Sequence, residues 1–209
     1  MVALILDELL TERLKAERAF TGADRFDEVW DGTHLFAPIA DDEHQELQAG
    51  LGTVLLTVVG WPQAQSGNVY MGVNVSDRSE QWELNYRWPD VAVFLPTTRA
   101  RNLRSHWVGG SDLTIEIVTP QDRTREKLAF YAKVGVQELL IVDRNPWALE
   151  LYRPECCELK LVCRVAPLEG DHVASNILPV RFRFAPVSGK SKRPQIEVSR
   201  ADGSERWLV

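Results

Sequence analysis

The feature that most constrains the fold is a pair of strongly apolar segments joined by a segment with helical spacing. The segments 111–120 ("SDLTIEIVTP") and 137–144 ("QELLIVDR") are rich in β-branched and aliphatic residues. Between them, 122–136 has the spacing of a helix that stops at Gly135. A strand, a helix and a strand in this order predict a right-handed crossover with parallel strands. Residues 91–95 add a strand that is apolar on both faces, as in the centre of a covered sheet.

The rest of the chain adds helices, strands and hairpins to this unit. Helices are predicted at 1–20 and at 41–59, where Asp41 or Asp42 caps an apolar face made of Leu47, Leu51, Val54, Leu55 and Val58. Further strands are predicted around 69–75, 82–86, 147–153 and 158–165, a loop at 96–110, and hairpin turns at Asp31-Gly32 and Asp202-Gly203.

These elements predict a mixed α/β fold with helices on both faces of a central sheet. We expect a single domain over residues 1–209, with a core at about 24–184. The N-terminal helix at 1–20 and a C-terminal hairpin at 186–209 would be appendages to that core.

The composition limits the classes of protein to which the chain can belong. A net charge of −6 counts against a protein coated in basic groups, but it permits a local basic cleft or a metal-bridged phosphate site. No segment is apolar for long enough to cross a membrane, and the start lacks the basic region of a signal peptide. Cys156, Cys157 and Cys163 form no C-x-x-C pair. Since they lie in or beside an alternating segment, we expect buried, reduced thiols and a cytoplasmic protein.

An acidic residue stands in the apolar middle of the segment 111–120. Alternate residues of a strand share a face, so Glu116 points to the same side as Val118. Asp90 comes directly before the strand that follows it. Two carboxylates on neighbouring strands repel each other, and a hard divalent metal with oxygen ligands removes that penalty. The ordinary alternative is that each acid ends a strand and meets an arginine or a backbone donor.

Several segments together resemble one protein family. They are "FDEVWDGTHLFAP", "DDEHQEL", "WPDVAVFLP", "SDLTIEIVTP", "REKLAFYAKVGVQELLIVDRNP", "LELYRP" and "GDHVASNILPVRF". This combination resembles the Uma-two family of "putative restriction endonucleases", a branch of the PD-(D/E)xK nuclease superfamily. The resemblance implies a restriction-endonuclease-like mixed sheet flanked by helices, with β-hairpin extensions. It also implies hydrolysis of DNA phosphodiester bonds with Mg²⁺ or Mn²⁺ as cofactor.

The resemblance assigns roles to the acids of the strands. It implies that Asp90 and Glu116 are catalytic metal ligands, helped by the carbonyl of Ile117. The usual lysine lies two residues after the glutamate, where this chain has Val118. In the family that lysine is commonly moved to the following helix, and Lys127 stands where it is expected. Lys127 would orient the nucleophile or stabilise developing negative charge, and its alternative is a solvated helix residue.

The family pattern implies further assignments at single positions. Glu28 precedes the Asp-Gly turn and would add an outer carboxylate to the catalytic set, with an exposed hairpin acid as the alternative. His44 matches the histidine of the first core helix, where we favour a hydrogen-bonded structural role. Thr119 keeps a hydroxyl where the family usually has serine. Asp143 ends a strand, which favours a capping or turn role. The first helix and the tail after Pro186 have no counterpart.

The sequence leaves the substrate and the assembly open. Five arginines would grip a DNA backbone or form a scattered, solvated surface: Arg99, Arg101, Arg104, Arg123 and Arg125. One alternative to a DNA endonuclease is a catalytically inactive nuclease fold that acts in binding or assembly, which Val118 permits. Another is a metal-dependent phosphoesterase acting on RNA or nucleotides. The resemblance implies a homodimer, since in the family a cut across a duplex suits two-fold symmetry.

Overall fold

The computed structural model describes residues 3–4, 8–60, 66–119, 123–186 and 193–209. The helices are α1 (Glu8–Thr21), α2 (Asp42–Val59) and α3 (Leu128–Val134), and 3-10 turns occupy Ala23–Phe26, Trp82–Leu84 and Thr124–Lys127. The strands are β1 (Ala3–Leu4), β2 (Glu28–Trp30), β3 (Thr33–Phe36), β4 (Asn68–Tyr70), β5 (Val75–Ser76), β6 (Tyr86–Arg87), β7 (Val91–Phe94), β8 (Arg101–Asn102), β9 (Trp107–Val108), β10 (Leu113–Ile117), β11 (Glu138–Arg144), β12 (Trp147–Glu155), β13 (Glu158–Val165), β14 (Val173–Ala174), β15 (Val180–Phe184), β16 (Ile196–Arg200) and β17 (Arg206–Leu208).

The central sheet has six strands in the order β13-β12-β11-β10-β7-β4. β10 and β11 are parallel, with Glu116 opposite Ile141, and the remaining neighbours are antiparallel. All five residues of β10 and the first six of β11 are buried, because layers of other elements cover both faces of the sheet. The predicted strand–helix–strand crossover is therefore confirmed, and so is the mixed α/β fold class.

Helices α2 and α3 cover opposite faces of this sheet. Leu47 and Leu51 of α2 pack in one buried cluster with alternate residues of β7, β10 and β11. Phe130 and Tyr131 of α3 pack in a second cluster with the other alternate residues of β7 and β11, such as Phe94 and Ile141. α2 begins where predicted, since the carboxylate of Asp41 accepts a hydrogen bond from the His44 amide at 2.8 Å.

A second sheet, in the order β1-β3-β2-β6-β5-β9-β8, carries the N-terminal hairpin. Asp31 and Gly32 have φ angles of 47° and 85°, which give the two-residue turn that the sequence predicts. The turn fixes the register that places Glu28 opposite Leu35. The hairpin thereby brings Glu28 to the site described below.

A third sheet, in the order β14-β15-β16-β17, contains the predicted C-terminal hairpin. Its inner face is apolar and joins the α2 cluster through Val180, Phe182, Phe184, Ile196 and Val198. Gly50 of α2 lies against Val209, the residue that follows β17, since a Cβ at Gly50 would be 2.5 Å from Val209 Cγ1. The tail is thus packed onto α2.

Five predicted elements differ in the structure. The single strand predicted around 69–75 is two strands, β4 and β5, which belong to different sheets. Residues 3–4 are a strand paired with β3, so the first helix begins at Glu8. Residues 82–86, predicted as a strand, are mainly a 3-10 turn, and the predicted loop 96–110 contains β8 and β9. Strands of two residues are too short to produce a periodic pattern. The predicted helix at 122–136 begins with a 3-10 turn, and Asp122 lies outside the described residues.

The prediction of buried cysteines is wrong. Cys156 and Cys157 are exposed, Cys163 is half-buried, and all three are free thiols. Cys156 and Cys157 have φ angles of 48° and 70°, because they form the tight turn between β12 and β13. Burial was expected because the cysteines lie in or beside an alternating segment, but Cys156 and Cys157 fall between the two predicted strands. No helix in the described part of the chain has both the length and the apolar character to cross a membrane.

Candidate active site

A cleft of about 120 Å³ opens between the central sheet, α2 and the N-terminal hairpin. Its polar lining is drawn from five separate parts of the chain: Glu28, His44, Gln48, Asp90, Glu116, Thr119, Arg123, Thr124 and Lys127. The apolar side is formed by residues such as Trp30, Leu35 and Trp88. A concave, mainly apolar pocket with a few convergent polar groups is the usual form of a ligand or active site.

Asp90 enters the cleft at the start of β7 and is held from two sides. Its Oδ1 atom lies 2.8 Å from His44 Nε2, and its Oδ2 atom accepts the Ile117 amide hydrogen at 2.6 Å. Its carbonyl oxygen accepts a hydrogen bond from Gln48 Nε2 at 2.9 Å. The helix α2 and the end of β10 therefore fix this carboxylate at the strand end.

Glu116 lies within the buried strand β10 and is only 3% exposed. Lys127 Nζ lies 3.1 Å and 3.0 Å from its two carboxylate oxygens. The hydroxyl of Tyr131, at the start of α3, donates a short hydrogen bond to Oε1. The 3-10 turn after β10 thus carries the lysine back onto the acid eleven residues before it.

Glu28 joins this cluster from the N-terminal hairpin. Its Oε1 atom is 2.8 Å from Lys127 Nζ and accepts the Trp88 amide hydrogen at 2.9 Å. Its Oε2 atom accepts a hydrogen bond from the Trp30 indole at 2.7 Å. Glu28 is buried, so the expectation of an exposed hairpin acid does not describe it. Lys127 is held between Glu28 and Glu116.

The cluster has an excess of negative charge. Burial raises the pKa of Glu116 above its ordinary value of 4.5, Lys127 opposes this rise, and Asp90 and Glu28 add to it. Burial lowers the pKa of Lys127, but the charges of Glu116 and Glu28 outweigh burial, so the pKa is raised and the amine stays charged. Three carboxylates around one amine would favour an additional cation.

The donor atoms of the cleft suit a hard divalent cation. Asp90 and Glu116 offer carboxylate oxygens and Ile117 a backbone carbonyl, and Mg²⁺ prefers oxygen ligands. Within the described residues, no group of three or more His, Cys, Asp or Glu side chains has the arrangement of a metal site. An ion held by Asp90 and Glu116 would therefore rely on water and phosphate oxygens for its other ligands, as Mg²⁺ commonly does.

Val118 lies at the position where the lysine was expected from the superfamily motif, and it packs among the apolar residues near α3. Lys127 supplies an amine to Glu116 from a different element. Thr119 also lines the cleft. Asp143 accepts a hydrogen bond from the Asn145 amide at 2.9 Å, which is the turn role that its position predicts.

The five arginines proposed to contact DNA occupy three different settings. Arg123 lines the cleft, where it pairs with Glu126 and lies 5.0 Å from the centre of the Trp30 ring. Arg125 is held by ion pairs to Asp143 and Glu150. The remaining three are exposed and lie in or near β8: Arg99, Arg101 and Arg104. β8 is an edge strand of the second sheet and is four strands away from β2, which carries Glu28. Of the five, only Arg123 lines the cleft.

Sequence reasoning gave no site role to Gln48, Trp88 or Tyr131. Each reaches the cluster from a separate element, and the tertiary fold alone brings them together. Tyr131 had one available signal, since it follows Lys127 by four residues and such positions share a helix face. His44 has the hydrogen-bonded role that we favoured for it, and its partner is Asp90. Its Nδ1 atom is buried and has no hydrogen-bond partner among the described residues.

Comparison with known proteins relates this geometry to a family. The model of the Uma2 family, described as "Putative restriction endonuclease", matches residues 13–186. One similar solved structure is that of a "putative nuclease belonging to DUF820" from Anabaena variabilis ATCC 29413. It has a TM-score of 0.53 and 19% identity, and the match covers 78% of this chain and 82% of that chain. No curated protein matches. At this identity the solved structure shows the fold, whereas the family match spans most of the chain. The chain belongs to the Uma2 family of "putative restriction endonucleases".

Proposed function

We propose that the chain is an endonuclease that hydrolyses DNA phosphodiester bonds with Mg²⁺ or Mn²⁺ as cofactor. Membership of the Uma2 family supports a nuclease. The observation that carries the proposal is the position of Lys127, whose amine lies within 3.1 Å of Glu116 although the motif position two residues after Glu116 holds valine. An acid, a second acid on the neighbouring strand and a lysine share one cleft, as this chemistry requires.

Asp90 and Glu116 would hold the ion, with the carbonyl of Ile117 as an additional ligand. When bound, the ion lowers the pKa of its water and neutralises charge on the phosphate. His44 and the Ile117 amide keep the Asp90 carboxylate in place, so that little reorganisation is needed. A ligand set of two carboxylates leaves coordination positions for water and for the phosphate oxygens of the substrate.

Lys127 supplies positive charge where negative charge develops during hydrolysis. Its pKa is raised, so it donates hydrogen bonds and stays cationic rather than acting as a base at neutral pH. A fixed cation in a partly buried cleft stabilises developing charge on phosphate oxygens. Glu28 pairs with the same amine at 2.8 Å and so acts as a positioning residue.

Arg123 is the member of the arginine set that would contact the substrate backbone next to the cleft. Phosphate contacts of this kind position a duplex without reading its sequence. The exposed arginines around β8 would make more distant contacts with the same backbone.

The test is cleavage of supercoiled plasmid by the purified protein with Mg²⁺, with Mn²⁺ and with a chelator. We expect nicked or linear products with either metal and none with the chelator. Asp90→Asn and Glu116→Gln should each reduce the rate by at least about 100-fold. Equal cutting by all three proteins, or no cutting of any DNA under any metal condition, would overturn the proposal.

The same assay identifies the substrate class. Single-stranded DNA, duplex RNA and a dinucleotide would be offered beside the plasmid at equal phosphate concentration. A rate on RNA or on the dinucleotide that exceeds the rate on DNA would replace the proposed substrate by the other phosphodiester.

A further inference from the structure

The outer face of the third sheet carries a polar groove of about 280 Å³ that is separate from the cleft. Residues alternate along β15, so that Val180, Phe182 and Phe184 face the core while Arg181 and Arg183 face outward. The register places Arg181 beside Ser199 and Ser199 beside Arg206 across three strands. Because neighbouring strands are about 4.8 Å apart, the backbones of the two arginines in this row lie about 10 Å apart, with the serine between them.

The acidic residues of the groove are neutralised within it. Glu197 Oε1 lies 2.8 Å from Arg183 Nη2, and Glu205 Oε2 lies 2.5 Å from Arg200 Nε. Arg181 and Arg206 are exposed, and neither has a hydrogen-bond or ion-pair partner in the described ranges 8–60, 66–119, 123–186 and 193–209. The groove therefore has two uncompensated guanidinium groups on a protein whose net charge is −6.

This charge pattern fits a phosphate-bearing ligand. Guanidinium groups bind phosphate oxygens through paired, charge-assisted hydrogen bonds, and the hydroxyl of Ser199 adds a donor between them. The groove lies on the outer face of the sheet and its two arginines are exposed, so a stretch of backbone can reach them from solvent. Two of its strands, β16 and β17, lie after residue 186, beyond the segment that the family model matches. The groove is thus completed by a part of the chain outside the family core.

We propose that the Arg181–Ser199–Arg206 row is an accessory phosphate-binding site that holds the backbone of duplex DNA. This inference rests on the proposed function, which supplies the duplex as ligand. Contacts of this kind raise affinity for every sequence equally and give no base recognition. The row would hold the substrate at a second point while the cleft acts on one phosphodiester.

Binding is measured by fluorescence anisotropy with a labelled duplex in the presence of a chelator, so that no cleavage is needed. The test variant is Arg181→Ala/Arg206→Ala. The matched control is Arg13→Ala/Lys160→Ala, which removes two exposed charges from α1 and from β13. We expect the test variant to bind about 10-fold more weakly than wild type at about 0.1 M salt. The slope of log Kd against log salt concentration should fall by about 1.8, which is about 0.9 for each lost phosphate contact. The control should match wild type.

Two further measurements separate binding of the DNA backbone from binding of free phosphate, and loss of charge from loss of folding. Inorganic phosphate is added as a competitor, and Arg181→Lys/Arg206→Lys keeps the charge while removing the bidentate geometry. Intermediate binding by the lysine variant, with unchanged melting of all variants, supports the site. The proposal is overturned if the alanine variant and the control show equal affinity and equal salt dependence. It is also overturned if only inorganic phosphate binding is lost. Absence of plasmid cleavage by wild type would instead count against the proposed function, because this assay does not depend on cleavage.

Discussion

Two buried glutamates on neighbouring strands, Glu116 of β10 and Glu138 of β11, have opposite surroundings. Glu138 is fully buried and accepts hydrogen bonds from Arg153 Nε and the Asn176 amide at 2.8 Å and from Ser175 Oγ at 2.5 Å. Glu116 is also buried, but it lines the cleft and shares one lysine with another carboxylate. Each glutamate has cationic and neutral donors, so burial and pairing alone do not distinguish a site from a structural clip.

The difference lies in charge balance and access. Glu138 has its own arginine, and its other partners lie in the segment that joins β14 to β15 of the third sheet. Glu116 belongs to a cluster of three carboxylates around one amine, at a cleft that solvent can enter. An excess of buried charge that the protein itself does not neutralise indicates a group that binds or reacts. The pair therefore provides a matched comparison within one sheet.

The largest expected difference is in metal affinity. Titration calorimetry with Mn²⁺ should show that Glu116→Gln loses at least about 100-fold in affinity, the upper end of losses for changes around metal ligands. Glu138→Gln should bind as wild type does, because it changes a charge outside the cleft. Equal affinities for the two variants would remove the distinction between the two glutamates.

The next largest effect is on the free energy of unfolding, and here the larger change is expected at Glu138 rather than at Glu116. Glu138→Ala leaves Arg153 without its acid and the Asn176 amide without its acceptor. We expect a loss of about 3 kcal/mol in the free energy of unfolding by urea denaturation. The control Glu158→Ala removes an exposed acid whose side chain is 67% accessible, and it should cost less than about 0.5 kcal/mol. A loss as small as that of the control would show that Glu138 is not a clip.

A lysine transfer sharpens the role of the amine beside Glu116. Lys127→Ala should lower the cleavage rate about 100-fold because the cleft loses its buried cation. Adding Val118→Lys should restore about 10-fold of that rate, since residue 118 lies on the same face of the chain as Glu116. Arg153→Ala is the comparison at Glu138 and should leave the rate per folded molecule unchanged. If Val118→Lys restores nothing while the protein stays folded, placement of the amine matters more than its presence.

A pH dependence of stability without metal tests the raised pKa of Glu116. The pKa of Glu116 is raised in the folded state, so above pH 4.5 the folded protein keeps a proton that the unfolded chain releases. The free energy of unfolding should therefore fall as the pH rises from the unfolded pKa of 4.5 towards the raised pKa of the folded state. The fall should be about 1.4 kcal/mol for each unit by which the pKa is raised. The advantage of Glu116→Gln over wild type in urea should grow over the same range. An advantage that stays constant with pH would contradict the raised pKa.

The sequence predicts the central sheet well because its signals are local and long. The apolar runs of β7, β10 and β11 and the stop at Gly135 are legible without tertiary information. Short elements such as β8 and β9 are stabilised by pairing across the second sheet, which no local pattern records. Burial of Cys156 and Cys157 was predicted wrongly because the alternating segments beside them suggested packing, whereas the two residues form an exposed turn.

The site shows the same division. Asp90 and Glu116 could be singled out from their positions at strands, and resemblance to the family pointed to Lys127. The amine's contact with Glu28 could not be predicted, because a hairpin about one hundred residues away in the chain supplies that acid. Nothing local marks Gln48 or Trp88 either, since each acts through one hydrogen bond to a residue distant in sequence.

The most direct test of the account compares the two glutamates under one reaction. Wild type, Glu116→Gln and Glu138→Gln are mixed in excess with supercoiled plasmid and Mg²⁺, and the rate of nicking is measured per folded molecule. The account predicts equal rates for wild type and Glu138→Gln and a rate at least about 100-fold lower for Glu116→Gln. Nicking by Glu116→Gln at the wild-type rate would contradict it.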